Sequence, residues 1–321
     1  MKLQKYILLS TGFILILTMM KLLLLLIASI GIASAADTVF TFTFHDTFRD
    51  GKDMAVFLDE SGWKGTYYVS ALRLCLHPDY FDREDVNELY LNGHQIGGHG
   101  LSHAKSFDLT NEQLELQFCC NRGLLKAYKW RPTTMAYPHG QYNHTIRRMA
   151  QHCGNCNALH VGGLRSTDSC LDCPSAETIP PQDKWQMKSY SVRGTDTLED
   201  LIERVGRAID DTTLSNRWVI FNFHKLCDPE DTRCQQYEFH TLREVFQRFV
   251  QFLKSQETAG NVEVKTVKAV MHLDNTLNPV PRNALIPFDS DNIELTVESS
   301  SSSAAHLGCG LMFLLALFCL A

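Results

Sequence analysis

Phenylalanine alternates with threonine from Phe40 to Phe44, the two-residue period of a β-strand. Short segments at 65–70, 94–98, 133–137, 218–223 and 262–267 read as further strands. Between them, apolar residues recur at helical spacing over 55–61, 83–91, 111 to about 129, 197–211 and 241–256. Thr110 and Gln113 have the spacing of a capping box, and Thr197 is placed to cap the helix that follows it. Asn92-Gly93 reads as a left-handed helix stop. Strands that alternate with helices predict a mainly parallel sheet, open or closed into a barrel. In either form, functional residues collect where strands end. No internal repeat is visible.

The two ends read as address labels. Residues 1–36 are almost entirely apolar, with Lys2, Lys5 and Lys21 ahead of greasy runs and Ala33-Ser34-Ala35 as a small-residue cleavage pattern. That is a cleaved signal peptide, and a start at Met20 would make a complete one by itself. An uncleaved signal anchor is the alternative. At the other end, the serines at 299–303 precede an apolar tail at 304–321, which reads as a GPI-attachment signal, with a short transmembrane helix as the alternative. Residues 274–303, with Pro279, Pro281 and Pro287, read as a stalk. A single folded domain is expected over 37–273. The expectation is a protein at the outer face of the plasma membrane, held by a lipid anchor.

Composition agrees. Hydrophobic residues are 45% of the chain and charged residues 21%, enough for a packed core. The net charge of -6, with no basic run, argues against nucleic acid as a partner. Eleven cysteines suit a secreted protein. Cys153-x-x-Cys156 and Cys170-x-x-Cys173 read as disulfide cysteines in that setting and as a structural zinc site inside a cell. Cys227 and Cys234 are expected to close a small loop, and Cys75 to pair with Cys119 or Cys120. Without the tail cysteines Cys309 and Cys319 the number is odd, so one thiol is left over.

The chemistry sits at strand ends: His45-Asp46, His99 with His103, Tyr137-Pro138-His139-Gly140, and His224. Two histidines four apart face one way on a helical turn and suit one metal. With Asp46 they make two histidines and a carboxylate, a set that leaves coordination positions open for water and substrate. Taken singly, Asp46 reads as a turn cap and His224 as a core histidine. Trp185 reads as core or as a sugar platform. Asn143-His144-Thr145 is an N-glycosylation sequon at Asn143.

In order along the chain, these segments resemble the polysaccharide deacetylase family, the NodB-homology esterases of carbohydrate esterase family 4. Thr43-Phe44-His45-Asp46 resembles its first motif, Thr-Phe-Asp-Asp. Gly98-His99-Gly100-Leu101-Ser102-His103 resembles the histidine motif, Met135 to Asn143 the Ala-Tyr-Pro variant of the third, and Ile220 to His224 the last. The resemblance implies a distorted (β/α) barrel and removal of acetyl groups from glycans. It implies that Asp46, His99 and His103 hold a divalent metal, zinc in expectation and cobalt as an alternative. A backbone N–H near Tyr137, Pro138 and His139 would bind the oxyanion, and His224 would act as general acid. His45 stands where the family has its catalytic aspartate, and His139 is also a departure. The implied substrate is an N-acetylglucosamine polymer, chitin first, and the chain is expected to be a monomer. A carbohydrate-binding protein that has lost catalysis and an O-acetyl glycan esterase are the alternatives.

Overall fold

The computed structural model describes residues 36–272 apart from Cys75 and 166–169. The leader, stalk and tail read from the sequence lie outside the described residues. Among the described residues, no helix is long and apolar enough to cross a membrane.

Strands β1 (Thr38–Phe44), β2 (Thr66–Val69), β3 (Gln95–Gly98), β4 (Thr134–Ala136), β5 (Asn157–Gly163), β7 (Met187–Ser191) and β8 (Arg217–Phe223) pair in that order, all parallel. β8 pairs back onto β1 from Thr38↔Arg217 to Phe44↔Phe223, which closes a seven-stranded barrel. β11 (Val262–Val264) adds parallel to β1, and β6 (Glu177–Thr178) adds antiparallel to β8. β9 (Lys225–Cys227) and β10 (His240–Leu242) form a separate small sheet just after β8.

All of β1 is buried, and the phenylalanine–threonine alternation explains how. Phe40, Phe42 and Phe44 pack outward with Phe221 and Phe223 against helices Gly51–Glu60, Leu198–Asp210 and Arg243–Thr258, through Met54, Leu58, Leu201, Phe246 and Phe249. Val39, Tyr68, Ala136, Leu159, Met187, Trp218 and Ile220 form the second cluster, on the opposite face of the same strands. Threonine suits that face because its buried hydroxyl finds partners there. Trp218 Nε1 donates to Thr41 Oγ1 at 2.8 Å, and Thr43 Oγ1 donates to Asn222 Oδ1 at 2.8 Å.

Most of the expected elements form within a few residues of their predicted bounds. The capping box of Thr110 and Gln113 is present, and Thr197 caps Leu198–Asp210. Helix Asn111–Glu115 runs through a π-type stretch, Leu116–Cys120, into Asn121–Ala127. The last segment is corrected: the strand ends at Val264 and Val267–Val270 is helical, with Thr266 Oγ1 accepting from Ala269 N as its cap. Helix His144–His152 and strands β5 and β7 had no clear sequence pattern.

The cysteines form disulfides. Cys119 bonds Cys153, Cys170 bonds Cys173 and Cys227 bonds Cys234. Cys120 is also disulfide-bonded, and Cys156 is a free thiol. The zinc reading of the two Cys-x-x-Cys pairs therefore fails, because three of the four sulfurs are in disulfides. Pairing of Cys75 with Cys119 fails too, because Cys119 is bonded to Cys153; Cys75 itself lies outside the described residues.

Candidate metal and catalytic site

Because the barrel strands are parallel, the ends of β1, β3, β4 and β8 open on one rim. His45 and Asp46 follow β1, His99 follows β3, Pro138 and His139 follow β4, and His224 follows β8. The first residues past each strand stay registered by backbone bonds. His45 N donates to Phe223 O at 2.9 Å, and His99 N to Val69 O at 3.0 Å.

The expected histidine pair does converge, but not on a helical turn. Gly100 and His103 both have left-handed backbones, with φ of 68° and 60°, which breaks any helix between them. A Cβ on Gly100 would also come within 3.0 Å of Pro138 Cγ. The loop brings His103 Nε2 to 2.8 Å and His99 Nε2 to 3.2 Å from one oxygen of Asp46. The ligand atoms of Asp46, His99 and His103 all lie within 4.8 Å of one another.

Asp46 and Thr47 are also left-handed, with φ of 65° and 67°, unusual for residues with side chains. Two contacts hold this turn. Arg73 Nη1 donates to Asp46 O at 3.1 Å, and Ser70 N donates to Thr47 Oγ1 at 3.1 Å. Arg73 Nη1 also lies 3.9 Å from Asp46 Oδ1. The sequence offered no signal for Arg73, which ends the short 3-10 turn Ala71–Arg73 and reaches the site through space.

The donor chemistry fits a divalent cation. His99 Nδ1 donates to Ala136 O at 3.0 Å, so its neutral Nε2 carries a lone pair. That lone pair faces an oxygen of Asp46, and two lone pairs at this distance call for a cation or a proton between them. A carbonyl that fixes the imidazole through its other nitrogen is the usual support of a metal-binding histidine. Burial opposes charge on Asp46, but the imidazoles of His103 and His99 outweigh it and hold the carboxyl well below its ordinary range. Burial lowers His103 to about 4. A charged carboxylate and a neutral imidazole are the states that ligate metal.

His45 is buried against His99 and His224, with ring centroids 5.0 and 5.4 Å away. Burial, then His99 and His224, push its pKa well below the usual value. Burial lowers His224 as well. His45 is not among the clustered ligand atoms. His139 is exposed and left-handed, with φ of 56°. Its Nε2 donates to His103 O at 3.1 Å. The Tyr137 side chain goes to the core, its hydroxyl donating to Trp185 O at 3.0 Å. Trp185 itself is buried rather than offered as a sugar platform. Asn143 is exposed, and its Oδ1 accepts from Ile146 N at 2.9 Å as the cap of His144–His152. A second grouping, Glu115, Cys119 and His152, has its sulfur tied up in the bridge to Cys153.

The family model described as polysaccharide deacetylase matches residues 34–157. No curated protein matches the chain in sequence. Similar solved structures include a family 4 carbohydrate esterase from Streptomyces lividans in complex with acetate, at 8% identity and a TM-score of 0.42, covering 70% of this chain and 89% of that one. A family 4 acetyl xylan esterase from Clostridium thermocellum in complex with a cobalt ion is similar at 16% identity and a TM-score of 0.46, covering 74% and 92%. The peptidoglycan deacetylase from Bacillus subtilis is similar at 14% identity and a TM-score of 0.45, covering 76% and 94%.

Proposed function

We infer that this chain, which belongs to the polysaccharide deacetylase family by its residues 34–157, is a metal-dependent hydrolase that removes N-acetyl groups from an N-acetylglucosamine polymer of the chitin type. The observation that carries the reading is the convergence of His99 Nε2 and His103 Nε2 on one oxygen of Asp46. Asp46, His99 and His103 would hold the divalent ion, zinc first and cobalt as an alternative. When bound, the ion supplies polarisation of the acetyl carbonyl and acidification of water.

The chain's own residues do the rest. His45 takes the proton from the attacking water as general base, in the place of the family's aspartate. Its lowered pKa keeps it neutral, and so able to accept a proton, at neutral pH. His224 gives a proton to the departing amine from its imidazolium form, which burial disfavours at rest and which forms with the proton released by the water. Tyr137 N–H is committed to Leu159 O and Pro138 has no N–H. The donor of this turn to the developing oxyanion is therefore His139 N–H. His139 Nε2 meanwhile steadies the backbone of His103. The leader, stalk and tail patterns support a place on the outer face of the plasma membrane with a lipid anchor.

The test is acetate release from chitin oligosaccharides, with added zinc and then with chelator. Release that needs metal supports the reading. Release only from acetylated xylan would replace it with an O-acetyl esterase. No release from either, with the ion bound, would replace it with a carbohydrate-binding protein.

A further inference from the structure

Behind His45 runs a chain of buried hydrogen bonds whose direction is fixed at its far end. Ser189 Oγ donates its single proton to His160 O at 2.7 Å. Toward Asn222 Nδ2, 2.8 Å away, Ser189 Oγ must therefore accept. Asn222 Nδ2 also reaches Ser191 Oγ at 3.2 Å. The amide nitrogen of Asn222 thus faces β7, and its oxygen faces β1. Thr43 is the register partner of Asn222 and donates to Asn222 Oδ1 at 2.8 Å. Its other acceptor, Phe221 O at 3.1 Å, is a carbonyl as well. The one hydroxyl proton of Thr43 goes to one of these two acceptors. With that proton committed to Asn222 Oδ1, the shortest of the three contacts, the threonine oxygen accepts from His45 Nε2 at 3.2 Å.

We propose that Thr43, Asn222 and Ser189 are positioning residues that hold His45 as its Nε2–H tautomer, leaving Nδ1 as the nitrogen that takes the proton in the reaction. The inference rests on the reading of His45 as the base, and it names which atom of the imidazole does the work. A carboxylate has two equivalent oxygens and needs no such device. An imidazole has one lone pair, so a chain that uses histidine here must fix where that lone pair lies. The relay does so from three strands of the barrel, β1, β8 and β7, with every polar side chain in it buried. It also gives the buried threonine, asparagine and serine their hydrogen-bond partners inside the barrel.

The test reads the tautomer directly. In the chain with 15N-labelled histidines at neutral pH, the His45 signal, assigned by its loss in His45→Asn, should show a protonated Nε2 and a bare Nδ1. A protonated Nδ1 in the wild type overturns the proposal, and this result needs no folded variant of the relay. In Thr43→Val, which keeps the shape and removes the hydroxyl, the bare-Nδ1 form should lose its fixed population. kcat should then fall by roughly five- to tenfold, the equilibrium weight of one net hydrogen bond, with KM within about twofold. Thr43→Ser should restore both the spectrum and kcat. An unchanged tautomer and kcat in Thr43→Val would overturn the proposal. Loss of acetate release from the wild type itself, with Nε2 protonated, would refute the base role of His45 and leave the tautomer standing, so the two failures are distinguishable.

Discussion

Acid should weaken this fold through His94, which sits just ahead of β3 and so sets the entry to the strand that ends at His99. Its Nδ1 accepts from Gly65 N at 3.0 Å, and its side chain is fully buried. Adding a proton would break that bond and place a charge in the interior. Asp59 lies 3.2 Å from Nε2 but is shared with Lys64, so it offsets only part of that cost. Burial is the main cause that brings the pKa of His94 from 6.5 down to about 4, with Lys64 adding to it and Asp59 opposing. The unfolded chain therefore binds a proton that the folded chain refuses between those two values. Stability from this residue is complete above pH 6.5 and is lost as pH falls toward 4. The shift corresponds to roughly 3 kcal/mol in all, and about 2 kcal/mol of it is gone at pH 5. His94→Asn keeps an acceptor near the Gly65 N–H and removes the titration. Urea unfolding at pH 7 and pH 5 should show the wild type losing about 2 kcal/mol more than the variant over that interval. Parallel losses in the two proteins would refute the argument.

Other consequences follow from single contacts. A Cβ on Gly194 would lie 1.9 Å from His240 Cε1, and His240 Nδ1 donates to Tyr237 O at 2.6 Å. Gly194→Ala should cost about 2–3 kcal/mol by forcing the ring off its partner, and a urea midpoint within error of the wild type would contradict it. The Cys227–Cys234 bridge closes a short loop beside β9. Replacing both cysteines with serine should cost about 2 kcal/mol through loop entropy, with no change in stability as the contrary result. Thr110→Ala removes a capping box at an exposed helix start and should cost about 1 kcal/mol, measured in the same way.

The legible parts of the sequence were those where local pattern and fold agree. Phe40 to Phe44 announced a strand, and the polar residues just past it, His45 and Asp46, fell on the functional rim because parallel strands end together. The histidine pair was legible as chemistry but not as geometry. Four-residue spacing suggested a helical turn, whereas Gly100 and His103 use left-handed backbones to aim the rings. β5 and β7 were hidden because their side chains include Asn157, Ser189 and Ser191, polar residues that the barrel buries by bonding them to other strands. Helix His144–His152 carries just Ile146 and Ala150 as buried residues, too few to mark a stripe. Arg73 and the link from Cys119 to Cys153 depend on proximity across the fold, which no local window contains.

The most direct measurement is calorimetric titration of the metal-free protein with zinc or cobalt, alongside Asp46→Ala, His99→Ala and His103→Ala. The account predicts one ion per chain in the wild type and loss of binding in each variant, with fold retained by circular dichroism. Wild-type protein that binds no ion, or a folded His103→Ala that binds as tightly as the wild type, would contradict it.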